Sequence, residues 1–224
     1  MKKKKELKST DISQGLQQIQ KDEQITDIQA TTQTKSETRF GLLSAESGKI
    51  KVGMFYYNED KTFSKRLVAG KQVSGVVVFV DESGQHGLID LLRQKILPWS
   101  SDGLFVALPE GLSGKENTRL IIEAAQQKGK RAEAAEYCAN YAYDGIKAGE
   151  AFLPSKEEQD KTKNNFELIK FSLHKIKAKK IKEEYYWSSS EYSRYFTWSL
   201  FFYNNRMYVN LKRTTQYVRP MMSF

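Results

Sequence analysis

The sequence predicts an α+β domain behind a polar extension, and three observations carry that reading. Strand-like segments follow Ile50, helix-like segments fill the middle, and strand-like segments return at Tyr185. The run Val73-Ser-Gly-Val-Val-Val-Phe-Val80 is β-branched at its centre, the pattern of a strand buried on both faces. Residues 1 to about 40, by contrast, are rich in Gln, Thr, Lys and Asp and hold no aromatic before Phe40. The expected division is an extension over 1–48 and a folded domain over 49–224.

In the extension, Ile12, Leu16 and Ile19 stand at helical or heptad spacing, with Ile25 and Ile28 as a weaker continuation. A short helix for attachment or homo-oligomerisation and a flexible tail both fit this pattern. Lys51–Tyr57 reads as a strand, Asn58–Asp60 as a turn and Thr62–Leu67 as the return strand. Asp81–Gly84 turns the Val73–Val80 strand into another, His86–Leu92. Glu116–Gln127, with Leu120, Ile121, Ala124 and Ala125, reads as a helix ended by Gly129. Arg131–Tyr141 is a second helix, with Ala134, Ala135, Cys138 and Tyr141 along one side. Ser155 and Glu158 form a capping-box pair, so a third helix is expected from there through Phe166, Ile169 and Leu173. Tyr185–Trp187 is a short strand, and Trp198–Tyr203 pairs with Arg206–Leu211 across a two-residue Asn204-Asn205 turn. Tyr217–Met222 closes the domain, with N- and C-terminal strands able to meet in one sheet.

Composition narrows the function classes. The formal charge of +9 is concentrated in Lys2–Lys5 and in a cluster of Lys170, Lys175, Lys177, Lys179, Lys180 and Lys182. Such clusters are usually solvated faces, and no nucleic acid is expected as a partner; nucleic-acid binding through the 170–182 lysines is kept as an alternative. Cys138 is the sole cysteine, which excludes an intrachain disulfide and a cysteine-based metal site. No stretch approaches the ~20 apolar residues of a membrane span, so no membrane insertion is expected. The basic start runs into Glu6, Lys8, Ser9, Thr10 and Asp11 without an apolar segment, so no secretory signal is expected. An outward-facing role would then need another export route, such as release inside a virus particle, or a numbering that starts from a mature form. His86 and His174 have no ligand-spaced carboxylate or cysteine beside them, and Glu183, Glu184 and Glu191 do not form an acid/base pair. There is no phosphate-binding glycine motif, and the hairpin region offers asparagine but almost no carboxylate for calcium. The expectation is a protein that is not an enzyme and needs no cofactor or metal.

Of the 12 Tyr, 12 Phe and 3 Trp, thirteen aromatics fall between Tyr185 and Phe224, more than a small core needs. Recognition surfaces favour Tyr, Trp and Arg. Strand alternation places Trp198, Leu200 and Phe202 on one face, expected to point inward, and Ser199, Phe201 and Tyr203 on the other. On the return strand Arg206, Tyr208 and Asn210 share one face, and Met207, Val209 and Leu211 share the opposite one. The exposed side then carries Phe201, Tyr203, Arg206 and Tyr208, flanked by Arg194, Tyr195 and Phe196. Flat amphipathic rings beside guanidinium forks make a surface of the kind paratopes use. Packing in the core remains open for several of these aromatics, and it is the preferred reading for Trp187 and Trp198.

Tyr185-Tyr-Trp-Ser-Ser-Ser-Glu-Tyr-Ser193, followed by Trp198, Phe202 and Tyr217-Val-Arg-Pro220, resembles bacterial and phage proteins with a C-type-lectin-like fold. These are related to the formylglycine-generating-enzyme-like and Fibrobacter succinogenes major paralogous groups. Gly75–Asp81, Gly87-Leu88, Trp99-Ser100, Asn117-Thr118, Ala134–Cys138 and Leu153–Glu158 agree in order, so the resemblance spans Lys51 to Phe224. Phe152 stands where many relatives carry Trp or Tyr before Leu-Pro-Ser. A formylglycine-generating relative would need a copper-binding cysteine pair, which Cys138 alone cannot supply.

In a subset of that family a diversity-generating retroelement rewrites the C-terminal end, turning AAY codons into NNY. NNY codons encode Ser, Arg, Tyr, Phe, Leu, Val and Asn, but never Trp, Met, Lys, Gln or Glu. The resemblance therefore implies a variable region over about 192–213. Its ligand-contacting residues are Arg194, Tyr195, Phe196, Ser199, Phe201, Tyr203, Arg206, Tyr208, Asn210 and Arg213. Val209 and Leu211 are NNY-permitted as well, although alternation turns them inward, while Trp198, Met207 and Lys212 are not permitted and read as scaffold. Gln216 does not fit the pattern. The implied function is receptor or ligand binding to a protein or glycan on a bacterial or host surface. A phage tail is the first setting, and a bacterial cell-surface adhesin is the alternative.

Overall fold

The computed structural model describes residues 49–224; the extension expected over 1–48, with its Ile12, Leu16 and Ile19 spacing, lies outside the described residues. The chain opens with β1 (Phe55–Tyr57), β2 (Thr62–Ser64), β3 (Gly75–Val80), β4 (Gly87–Leu91) and β5 (Lys95–Pro98). Four helices follow among the described residues: α1 (Gly114–Gln127), α2 (Glu133–Ala139), α3 (Lys156–Lys163) and α4 (Phe166–Lys175). The chain closes with β6 (Tyr185–Glu191), β7 (Phe196–Phe201), β8 (Arg206–Leu211), β9 (Thr215–Val218) and β10 (Met221–Ser223). This is the α+β order expected, arranged as two five-stranded sheets, β10-β4-β3-β1-β2 and β5-β9-β6-β7-β8. Pairing is antiparallel except where β6 meets β9 at Tyr186 and Tyr217.

Alternation sorts the sheet side chains into separate cores. Val76 and Val78 of β3 join Phe55, Phe166, Ile169, Leu173, Tyr186, Leu200 and Phe202 in one cluster. Val77 faces the other way, onto Tyr56, Ile89, Leu91 and Tyr141, so β3 is buried on both faces as its composition predicts. Trp187, one residue beyond Tyr186, points to the opposite side of its sheet and packs with Trp99, Ile121, Ala135, Cys138 and Val218. The packing role expected for Trp187 and the buried role expected for Cys138 are both met. Close approach explains Gly87: a side chain there would run into the Phe79 carbonyl and the Phe224 ring.

Several boundaries differ from the sequence reading, each for a local reason. α1 starts two residues early because Ser113 accepts a hydrogen bond from the Glu116 amide. The third helix is two helices. The Ser155–Glu158 capping box opens α3 as expected, but Asn164 and Asn165 interrupt the helix, and the Asn165 amide donates to the Val78 carbonyl at 3.3 Å. That break turns Phe166 onto Phe202, ring centres 4.7 Å apart. Phe202 is thereby drawn inward, so β7 ends at Phe201 and the hairpin loop has four residues, Phe202–Asn205, instead of two. Asn205 supplies the positive φ of 54° that the turn requires. The expected closing strand Tyr217–Met222 is split, because Pro220 has no N–H to continue a ladder. β9 therefore stays in the second sheet while β10 crosses to pair with β4 in the first.

Candidate ligand-binding surface

β8 is an outer strand of the second sheet, and its register with β7 pairs Phe196 with Leu211, Trp198 with Val209, Ser199 with Tyr208 and Phe201 with Arg206. Paired residues share a face, so the hairpin presents two surfaces. On the first, Tyr185 stacks on Phe201 with ring centres 4.2 Å apart, and Tyr208 stands edge-on to both. Tyr203 extends this group at the loop, 71% exposed and 5.8 Å from Phe201. The Asn204 amide donates to the Tyr208 hydroxyl at 2.8 Å, and Arg206 is exposed beside them. The result is a half-buried aromatic platform with an exposed tyrosine and a guanidinium at its rim.

The second surface corrects the sequence reading. Leu200 and Phe202 point inward as expected, but Trp198 is only half-buried. The Lys156 ammonium lies 4.9 Å over its ring and Tyr192 meets it edge-on at 5.3 Å. Val209 and Leu211, expected inward by alternation, are 37% and 49% exposed, and Phe196 is exposed next to them. The hairpin projects beyond α3, the helix that packs on β7, so alternation survives while nothing among the described residues covers its outer half. Arg194 and Tyr195 are exposed in the loop before β7, and Arg213 is exposed just after β8.

Ser199 is the expected contact residue that the structure removes from the surface. It is fully buried, and its hydroxyl accepts the Asn210 amide at 2.7 Å, so it supports the platform from beneath and Asn210 has its amide engaged. Phe201 and Tyr208 are half-buried through their mutual packing.

Beneath the hairpin lies a charge pair whose role the sequence did not reveal. The side chains of Lys212 and Glu191 are almost wholly buried and bonded to each other. The Lys212 ammonium also donates to the Leu104 and Arg194 carbonyls at 3.0 and 3.2 Å. Glu191 accepts the consecutive amides of Val106, Ala107 and Leu108 at 3.1, 2.7 and 3.3 Å, a backbone nest around one carboxylate. Ala107 takes a φ of 62° to complete it. Burial pulls the Lys212 ammonium below the ordinary lysine value, and Glu191 works against that shift. A lysine and a glutamate near the ends of two strands were the only signal available, and nothing in their spacing announced a pair.

Other buried acids are likewise committed. Asp90 receives the Arg219 guanidinium at 2.6 and 2.8 Å, and Glu158 caps α3 while also accepting the Gly114 amide at 3.1 Å. Burial raises the Cys138 thiol well above the usual range, and both histidines are exposed. Among the described residues no group of three or more His, Cys, Asp or Glu could hold a metal ion, and no helix is long and apolar enough to cross a membrane.

No family model matches the sequence, and no curated protein matches it. Among solved structures the chain is similar to a fimbrial protein from Bacteroides ovatus ATCC 8483, with a TM-score of 0.61 and 16% identity. The match covers 78% of this chain and 49% of the fimbrial protein, so the chain spans about half of that protein's length. At this identity the likeness is one of fold.

Proposed function

We propose that this chain is a non-catalytic binding module of the C-type-lectin-like kind, which engages a protein or glycan on a bacterial or host surface through its β7–β8 hairpin. The observation that carries the reading is the hairpin itself: two aromatic surfaces, rimmed by Arg194, Arg206 and Arg213, projecting from the sheet edge and braced by the buried Lys212–Glu191 pair. Rigid rings bind at low entropic cost when the scaffold beneath them is fixed. The absence of catalysis is supported by the buried acids, since Asp90, Glu158 and Glu191 are each consumed by structural bonds.

The same geometry supports diversification by a retroelement. Most NNY-permitted positions, including Val209 and Leu211, lie at the surface, whereas Lys212, which NNY cannot encode, is buried, and Trp198 and Met207 are half-buried. Ser199 is the buried one among the implied contact residues, and Leu200 and Phe202, which NNY also permits, are buried as well. Of the two settings, the fimbrial neighbour favours a cell-surface adhesin over a phage tail.

Replacing Tyr203 and Arg206 with Ala and Leu211 with Ser tests the surface. The variant should keep the parent melting temperature and lose binding to those bacterial cells or arrayed surface glycans that the parent captures. Retained binding, or loss of folding, would sink the assignment. For diversification, the decisive observation is the neighbouring DNA. A near-copy of the codons for Tyr185 to Phe224, rich in AAY at the exposed positions and beside a reverse-transcriptase gene, is expected.

A further inference from the structure

We propose that the opposite edge of the same sheet carries a second binding site, for an acidic polysaccharide. There Gln94, Lys95 and Ile96, together with Tyr217 of β9, face Lys179, Lys180 and Lys182 from the segment after α4 across a groove of about 570 Å³. That volume falls within the range of small-ligand sites. All four lysines are exposed, the lining holds no carboxylate, and none of the four forms an ion pair among the described residues. Lys170, earlier in the same sequence cluster, differs: it is paired with Glu167 and Glu183.

The lysines converge because the backbone beneath them is pinned. The Arg219 guanidinium donates to the Lys179 carbonyl at 3.2 Å and the Gln94 amide to the Lys180 carbonyl at 3.4 Å. The Lys182 amide donates to the Tyr186 hydroxyl at 2.8 Å, and that hydroxyl donates to Gln94. Arg219 is itself fixed by buried Asp90. Lys179, Lys180 and Lys182 bring three like charges to one side of the groove, while the Lys95 ammonium lies 5.9 Å over the Tyr137 ring, and an anionic ligand would offset the repulsion among the three.

The lining favours a glycan over nucleic acid. Tyr217 is its one ring, stacked from behind by Tyr186 at 5.1 Å and 20°, which leaves a single flat face for a sugar. Channels for single strands use successive aromatic platforms, and phosphate recognition favours arginine forks; this groove has neither. Carboxylate or sulfate groups around a sugar stacked on Tyr217 would lie within reach of the lysine heads.

The test measures binding of the full chain to polygalacturonate and to dextran sulfate, with neutral dextran and a short DNA duplex beside them. Substituting Lys179, Lys180 and Lys182 with Gln should weaken acidic-polysaccharide binding at least about tenfold and lower the salt slope by about two to three. Removing the same charge elsewhere, as Lys65→Gln, Lys115→Gln and Lys147→Gln, should change it less than about twofold, since distant exposed charges act only through the screened overall field. Preference between the two polymers identifies carboxylate or sulfate as the recognised group. Equal losses in both triple variants, no binding to either acidic polymer, or tighter binding to the duplex would overturn the proposal. The hairpin variant of Tyr203 and Arg206 should bind the polymers as the parent does, which separates this site from the β7–β8 surface.

Discussion

A lysine can be buried only where oxygen atoms replace its water, and Lys212 has the Glu191 carboxylate and the carbonyls of Leu104 and Arg194. Truncating one member of such a pair strands the other charge. Lys212→Ala should therefore cost ~3–5 kcal/mol in denaturant unfolding, whereas Lys212→Met with Glu191→Gln should recover most of it. A glutamine at 191 still offers an oxygen to the Val106–Leu108 amides, so a double variant as unstable as Lys212→Ala would refute this account. The two surfaces of the hairpin make a second contrast at this scale. Leu211→Ser should change stability by less than ~0.5 kcal/mol, while Leu200→Ala, on the same face but fully buried, should cost ~2–5 kcal/mol. Alternation read from the sequence treats the two alike, and only the reach of α3 over the hairpin tells them apart.

At the scale of elements, Glu158 joins α3 to α1 by accepting the amides of Ser155 and Gly114 at 2.8 and 3.1 Å. Burial raises its carboxyl above the ordinary glutamate value despite those two bonds. The folded chain therefore holds this proton to higher pH than the unfolded chain does. Its contribution to stability is greatest below the unfolded value and declines as pH rises through the interval up to the folded value. Glu158→Gln should flatten that decline in unfolding measured from pH 4 to 7, while Glu158→Ala should cost ~1–3 kcal/mol by leaving both amides unpaired. The capping box was legible in the sequence because Ser and Glu three residues apart have a local purpose, and so was β3, whose composition states its burial. The bond to Gly114 was not, since it spans 44 residues. The same limit explains the aromatic platform. Tyr203, Arg206 and Tyr208 could be grouped by alternation and turn chemistry, but the loop length that positions them depends on Phe202 meeting Phe166, a contact no local rule anticipates. β5 went unread for a similar reason: Lys95–Pro98 has little strand character until β9 lies beside it.

For the molecule as a whole, the question is what makes two sheets one folding unit. Leu91 of the first sheet and Gln94 before β5 of the second are three residues apart, and Arg219 lies between β9 and β10, where the chain crosses back. The buried Asp90–Arg219 pair closes this double crossing inside the protein: the Arg219 Nε–H is shared between both Asp90 oxygens, and Nη1 donates to Gln94 and to the Lys179 carbonyl. Burial drives the Asp90 carboxyl above the usual carboxylate range, and the Arg219 guanidinium works against that shift. Arg219→Met should then destabilise by ~3–5 kcal/mol, and the location of the damage is as informative as its size. If the pair couples the sheets, amide exchange should accelerate together in β3–β4 of the first sheet and in β6 and β9 of the second, with one unfolding transition retained. Lys212→Ala should instead loosen β7, β8 and the Leu104–Leu108 segment while β3 and β4 stay protected. Acceleration confined to a single sheet in Arg219→Met would mean that the sheets are stabilised separately. The shared cluster of Val76, Val78, Phe166, Tyr186, Leu200 and Phe202 would then hold the sheets together without help from the pair.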